Sequence, residues 1–274
     1  MNVGMNVGMN VGMSMDMNNT LPETFERTTN AISHANGASI LPLHVEALCY
    51  DAGGRRLVDN VSFFLEAGPR TVILGPNGAG KSLLLRLCHG LLQPASGKVT
   101  WLGAAHLNPA RKQAMVFQRP VLLRRTVAQN IDYALKLHGV ARAERAPIIE
   151  NVLSRTGLTR FAKSPARHLS GGEQQKLALA RAWATKPEVL FLDEPTASLD
   201  PAATHAIENI IGTMHDEGTR IVLTTHDLGQ ARRHADEVLF LYNGRLLEKT
   251  PAESFFKSPE SGEAAAFLKG ELRW

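Results

Sequence analysis

The chain has 274 residues, 44% of them hydrophobic and 20% charged, which is enough apolar material for one sizeable core and too much for a disordered chain. No apolar stretch comes near the roughly 18 residues needed to cross a bilayer, so the chain is not expected to form a membrane-spanning pore. Thirty basic against 26 acidic side chains give a net charge of +4, which suits nucleic acid or an anionic membrane face and selects neither.

The chain opens with MNVG three times and continues MSMDMNNT, a biased segment with neither helical nor strand periodicity. Residues 1–41 are therefore expected to be a mobile, low-complexity tail, and residues 42–250 the folded domain. From Leu43 the pattern changes to short β-type runs, LHVEALCY, VSFFLEAG and TVILG, the last a continuous apolar strand of the kind buried on both faces. TVIL runs straight into a glycine-rich turn. The following KSLLLRLCHGLL reads as a buried helix that stops at the Gln93-Pro94-Ala95-Ser96-Gly97 turn, before another strand, KVTWLG. Cys88 and His89 are neighbours in that helix, where adjacent side chains diverge, so they do not form a metal site. With Cys49 the other of two cysteines, neither a disulfide framework nor a four-ligand zinc site can form, and a reducing cytoplasmic setting is expected.

Residues 119–185 read as an inserted helical subdomain. Thr126 and Gln129 stand at capping-box spacing, with apolar Val127, Ile131 and Leu135 on one face and Gly139 as a stop. Further on, EVLFLDEP and TRIVLTTHD are strand-like runs ending in polar residues, with the helix former AATHAIENIIGTMHDEG between them. Residues 251–274 read as a short helical tail. Strands alternating with helices predict an α/β fold with a mostly parallel sheet, whose ligands gather at the carboxyl ends of the strands.

Gly75-Pro76-Asn77-Gly78-Ala79-Gly80-Lys81-Ser82 fits GxxxxGK[ST], a phosphate-binding loop, between a strand and a helix as the mechanism requires. Its glycines let backbone N–H groups curl around phosphates, Lys81 neutralises phosphate oxygens, and Ser82 offers a hydroxyl to Mg²⁺. A tight turn alone explains Gly78 and Gly80 but not Lys81 and Ser82. Asp193 ends an apolar run and suits a carboxylate that orients Mg²⁺ at a strand tip. On an extended chain the adjacent Glu194 faces the other way, free to polarise a water as general base. His226 ends the strand IVLTT on the same sheet edge and is expected to reach the γ-phosphate and support Glu194. Finally, Leu169-Ser170-Gly171-Gly172-Glu173-Gln174 precedes the helix former QKLALARAWA. Ser170 caps that helix and the glycines expose its N–H groups, making a second anion-binding terminus.

Phosphate loop, LSGGEQ, LFLDEP and TTHD, in this order, resemble the ATP-binding subunit of an ABC transporter over residues 43–250. The resemblance implies a P-loop NTPase core with an antiparallel β subdomain and the helical insertion. It also implies ATP and Mg²⁺ as ligands, Tyr50 stacking on adenine, Gln118 sensing Mg²⁺ and water, and Asp200, at the end of Ala197-Ser198-Leu199-Asp200, crossing a dimer interface. In such proteins two copies sandwich two ATP molecules head to tail, between the Lys81 loop of one and the Ser170 helix start of the other. Lys176 stands where the family often has arginine, keeping the charge but not the bidentate bonding. Transmembrane permease subunits and a separate solute-binding protein are the implied partners, on the cytoplasmic face of the inner membrane, with no nucleic acid. Phosphate-loop kinases and GTPases have no use for LSGGEQ, and DNA-repair or translation ATPases of this class are expected to carry additions for which this length leaves no room. The wording FQRPVLLRRTVAQNI is similar to tungstate importer ATPases more than to those for phosphate or polar amino acids, and it opens the subdomain that forms a groove for the permease in importers.

Overall fold

A computed structural model describes residues 39–103 and 108–271. The MNVG repeat and the tail expected around it, up to residue 38, lie outside the described residues. Residues 39–41, assigned to the tail from the sequence, belong with the folded domain. Ile40 is 1% exposed, and its N–H donates to both carboxylate oxygens of Glu188 at 3.0 and 3.1 Å, while the Ser39 hydroxyl bonds the same carboxylate.

Strands β1 (Leu43–Ala52), β2 (Arg55–Leu65) and β4 (Ser96–Trp101) form an antiparallel sheet in the order β2-β1-β4. The second sheet contains β3 (Thr71–Leu74), β5 (Gln113–Val116), β6 (Val189–Asp193), β7 (Arg220–Thr224), β8 (Glu237–Tyr242) and β9 (Arg245–Pro251), in the order β5-β6-β7-β3-β8-β9. All its neighbours pair in parallel except β8 with β9. Every residue of β3, β6 and β7 is buried, as unbroken apolar strands covered on both faces should be. The α/β fold with its antiparallel second sheet therefore stands.

Helix α1 (Lys81–His89) starts directly behind the glycine turn and packs its buried Leu84, Leu85 and Leu87 under the antiparallel sheet with Val45, Leu48 and Val61. It ends earlier than the sequence suggested. Gly90 adopts φ 86°, its N–H donates to Leu87 O, and Leu91 N–H reaches back to Arg86 O at 2.8 Å, so a glycine in the left-handed region closes the helix three residues before Gln93. The short α2 (Pro109–Lys112) leads into β5.

The helical insertion holds α3 (Val127–Leu137), α4 (Arg142–Arg155) and α5 (Gly171–Ala184). Thr126 and Gln129 form the expected reciprocal capping box, and Val127, Ile131 and Leu135 are fully buried against Leu177, Trp183 and other apolar residues of one cluster. Helices α6 (Pro201–Asp216) and α7 (Leu228–His234) connect the later parallel strands. The C-terminal segment is helical but is not a tail. Within α8 (Ala252–Lys257) and α9 (Gly262–Lys269), Phe255 is fully buried with its ring 5.7 Å from that of Phe240 in β8, and Phe267 lies 5.4 Å from the same ring. Aromatic burial of this kind joins both helices to the main core. Among the described residues no helix is long and apolar enough to cross a membrane.

Candidate nucleotide-binding site

The sheet order places β6, β7 and β3 side by side, so Gly75, Asp193 and the Thr224–His226 segment leave neighbouring parallel strands at one edge. A cavity of about 560 Å³ opens there, lined by Leu57, Asn77, Gly78, Ala79, Gly80, Lys81, Ser82, Leu83, Gln118, Glu194 and His226. Two glycines of the loop are demanded by geometry. A Cβ on Gly75 would stand 2.1 Å from Leu241 O, and Gly80, at φ 99°, would put one 2.9 Å from Leu57 O. Pro76 is buried and accepts the Ala79 N–H at 3.2 Å, curling the loop. Gly80 caps α1 without a side-chain bond, leaving that helix start to an anion.

Lys81 is 6% exposed, and its Nζ donates to Gly75 O at 2.7 Å and Pro76 O at 3.0 Å. Burial pushes its pKa down, opposed by the nearby Glu194 and Asp193 carboxylates. The ammonium is thus held inside the loop by the carbonyls of the turn that phosphates would fill.

Asp193 is 3% exposed and collects three partners. Ser82 Oγ donates to its Oδ1 at 2.7 Å, Thr224 Oγ1 donates to the same oxygen at 3.0 Å, and Arg86 Nη2 lies 3.6 Å from Oδ2. Glu194 has separate company: Gln118 Nε2 donates to its Oε2 at 3.4 Å, and His226 Nδ1 lies 3.1 Å from that oxygen. The two carboxylates diverge as expected but for a different reason. Glu194 is not extended; its φ is 44°, and its N–H is held by Thr224 through Oγ1 at 3.0 Å and the carbonyl at 3.2 Å. A left-handed non-glycine residue is strained and persists where its surroundings fix it. Thr224, fully buried, touches both acids, and neither it nor Arg86 was singled out from the sequence. The available signal was their placement, Thr224 beside the polar strand end and Arg86 one helical turn after Ser82.

Ser82 and Asp193 offer hard oxygen donors 2.7 Å apart, with the Gln118 amide at the same cavity, which fits a divalent cation of the Mg²⁺ type held by few protein ligands and by phosphates. Among the described residues no group of three or more His, Cys, Asp or Glu side chains could hold a metal unaided.

Six expected contributors, Tyr50, Ser170, Gly171, Gly172, Glu173 and Asp200, lie away from this cavity. Tyr50, in β1 opposite Val58, is half-buried against the core beneath the antiparallel sheet. Ser170 caps α5 and Glu173 closes the capping box, its Oε2 accepting the Ser170 N–H at 2.9 Å; Gly172 abuts Ala203, and a Cβ there would come within 3.0 Å of Ala203 Cβ. The second anion-binding terminus is therefore partly taken by its own Glu173. The Ser170 N–H and hydroxyl hold that carboxyl below its usual range. Gly171 is exposed and lies next to Leu199, and Asp200, also exposed, caps α6 by accepting the Ala203 N–H at 2.8 Å. A larger hollow, about 640 Å³, lies at the far end of α5 around Trp183, Arg155 and Glu217 and has no phosphate-type loop.

Residues 58–197 match the family described as ABC transporter. The chain belongs to the ABC transporter family. The tungstate uptake system ATP-binding protein TupC of Peptoclostridium acidaminophilum is 40% identical to this ABC ATPase over 205 residues, covering 74% of this chain and 94% of that one. The methionine import ATP-binding protein MetN of Caulobacter vibrioides is 39% identical (80% and 69%), and the phosphate import ATP-binding protein PstB 2 of Natronomonas pharaonis 34% (84% and 87%). A solved ATP-binding subunit of an ABC transporter superposes with TM-score 0.73 at 26% identity, over 85% of this chain and all of that one. The cbiO1 protein of Clostridium perfringens, part of the cbiONQ transporter complex, superposes with TM-score 0.70 at 29% identity, over 80% and 91%. The family makes this chain an ATP-binding ATPase whose hydrolysis is coupled to transport.

Proposed function

We propose that this subunit powers import of tungstate or a related oxyanion, seated peripherally on the cytoplasmic face of the inner membrane. What supports the cargo is the 40% identity to the tungstate uptake protein across 94% of its length. The methionine and phosphate import relatives, at 39% and 34%, define the competing cargoes. No residue of this chain is assigned to the cargo, because selectivity belongs to the permease and to a separate solute-binding protein.

The triphosphate lies along Gly75–Ser82, with Lys81 exchanging its turn carbonyls for phosphate oxygens. Mg²⁺, held by Ser82, Asp193 and Gln118, would neutralise charge on the departing phosphates. Glu194 takes the proton of the attacking water as general base, and His226, beside its Oε2, orients that carboxylate and the γ-phosphate. Gln118 joins the same oxygen and so links the site to the helical subdomain.

Two copies act together. The exposed Ser170 start of α5 lies outside its own cavity, which supports a head-to-tail homodimer in which it closes the partner's ATP site and Asp200 lies at the junction. Permease docking falls on the segment after Gln118. Arg124, Arg125 and Arg167 line a hollow of about 360 Å³ with no acidic side chain, and Val121, earlier in the same segment, is exposed, which offers basic and apolar groups to a permease segment.

Two measurements test the proposal. Cells lacking this subunit should lose uptake of labelled tungstate while phosphate and methionine uptake stays at the parental level; equal tungstate uptake in both strains removes the cargo assignment. Glu194→Gln should keep ATP affinity and abolish turnover, and turnover at the parental rate removes its role as base.

A further inference from the structure

A buried polar cluster outside the cavity ties together the segments that follow Glu194 and His226. Gln230, in α7 four residues after His226, is 1% exposed. Its Nε2 donates to Thr196 Oγ1 at 2.9 Å and to Glu208 Oε1 at 3.2 Å. Thr196 stands two residues after Glu194. Glu208, on α6 and 6% exposed, also accepts from Arg233 Nη2 at 2.8 Å, and its other oxygen lies 3.1 Å from His234 Nε2.

The loop between Glu194 and α6 needs such a tether. Glu194 and Ser198 adopt φ 44° and 65°, each a left-handed non-glycine conformation that persists only where the surroundings over-determine it. Thr224 fixes the first of them through its backbone N–H. Thr196 lies between the two, and its hydroxyl is anchored by Gln230. The amide has no freedom to turn. Glu208 is an acceptor only, so a flipped Gln230 would set Oε1 against the carboxylate. In the orientation that satisfies Glu208, Oε1 is buried with no hydrogen-bond partner, an unfavourable state that the cluster tolerates while presenting a donor to Thr196.

We propose that Gln230, oriented by Glu208, is a positioning residue for ATP hydrolysis: it holds the Glu194 loop against the helix that follows His226, so that carboxylate and imidazole keep their contact. This rests on Glu194 acting as the base. The test uses the full chain and measures kcat and KM for ATP in Thr196→Val, Gln230→Leu and the double variant, with Thr196→Ser and Glu194→Gln alongside. Each single variant is expected to lower kcat about tenfold, leave KM within about twofold, and be no faster than the double, since both remove the same Gln230–Thr196 bond. Thr196→Ser, which keeps the hydroxyl, should restore kcat to within about twofold of the parent.

An unchanged kcat in Thr196→Val, a multiplicative loss in the double variant, or a KM rising in step with the loss of kcat overturns the positioning role. If Gln230→Leu does not fold, the Thr196→Val and Thr196→Ser pair decides alone. Inactive Glu194→Gln with normal Thr196→Val overturns the tether only, whereas active Glu194→Gln overturns the base assignment beneath it.

Discussion

Thr224→Val tests whether one buried hydroxyl organises both acids. Valine fills nearly the same space, so the change removes hydrogen bonds without opening a large cavity. The Asp193 carboxylate loses a donor at 3.0 Å, and a bond to a charged group contributes about 1.5–3 kcal/mol. Glu194 N–H loses an acceptor at 3.0 Å but keeps the Thr224 carbonyl at 3.2 Å, so that loss falls at the low end, about 0.5 kcal/mol. Together they come to about 2–3.5 kcal/mol, or a drop in Tm of roughly 5–10 °C for a domain of this size. Turnover should fall as well, because the carbonyl alone does not fix the left-handed Glu194. Thermal melting and steady-state ATPase assays on Thr224→Val and Thr224→Ser separate the hydroxyl from the shape. If valine and serine variants melt within about 1 °C of each other and turn over equally, the hydroxyl organises neither acid.

Lys81→Ala should weaken ATP binding itself, because the side chain that neutralises the phosphates is gone; undiminished affinity by calorimetry would contradict that role. Ser170→Ala removes the α5 cap, costing about 1 kcal/mol of stability, and should slow turnover with little change in ATP affinity, the pattern of a group acting on its partner's site. Equal turnover in the presence of nucleotide-driven dimers would count against that sharing. Burial raises the Asp236 carboxyl, but bonds from the Arg70 side chain and N–H hold it below its usual value of 3.8. A depressed folded pKa makes its stabilisation full above the unfolded value and lost as the pH falls through the folded one. Arg70→Gln should therefore move the acid-unfolding midpoint to higher pH, and an unchanged midpoint on circular dichroism would refute the coupling.

Much of this arrangement could be read from local signals. The glycine loop, the Thr126 and Ser170 caps and the apolar strands state their own geometry within a few residues, and all formed as expected. Contacts between distant segments were less legible. Thr224 reads as one more residue of an apolar strand until the sheet order sets it beside Asp193. Gly90 looked like a passing small residue, yet its left-handed φ ended α1 ahead of the Gln93-Pro94 signal. Strands β8 and β9 were missed, although Asn243-Gly244, both at positive φ, is a two-residue hairpin signal between apolar runs. The alternation argument for Asp193 and Glu194 reached the right divergence from a wrong premise, because strain at a strand end does not show in residue type.

The sheet order also constrains how the chain is made. Strand β3 is followed at once by the phosphate loop, yet its neighbours on either side, β7 and β8, are synthesised about 150 residues later. Until residue 224 has left the ribosome, TVIL has no partner strand on either edge, and until residue 242 it has at most one, so the site at the strand ends is not assembled in a nascent fragment and the exposed apolar segment is at risk of association with other chains. ATP capture thereby reports that nearly the whole domain has been completed.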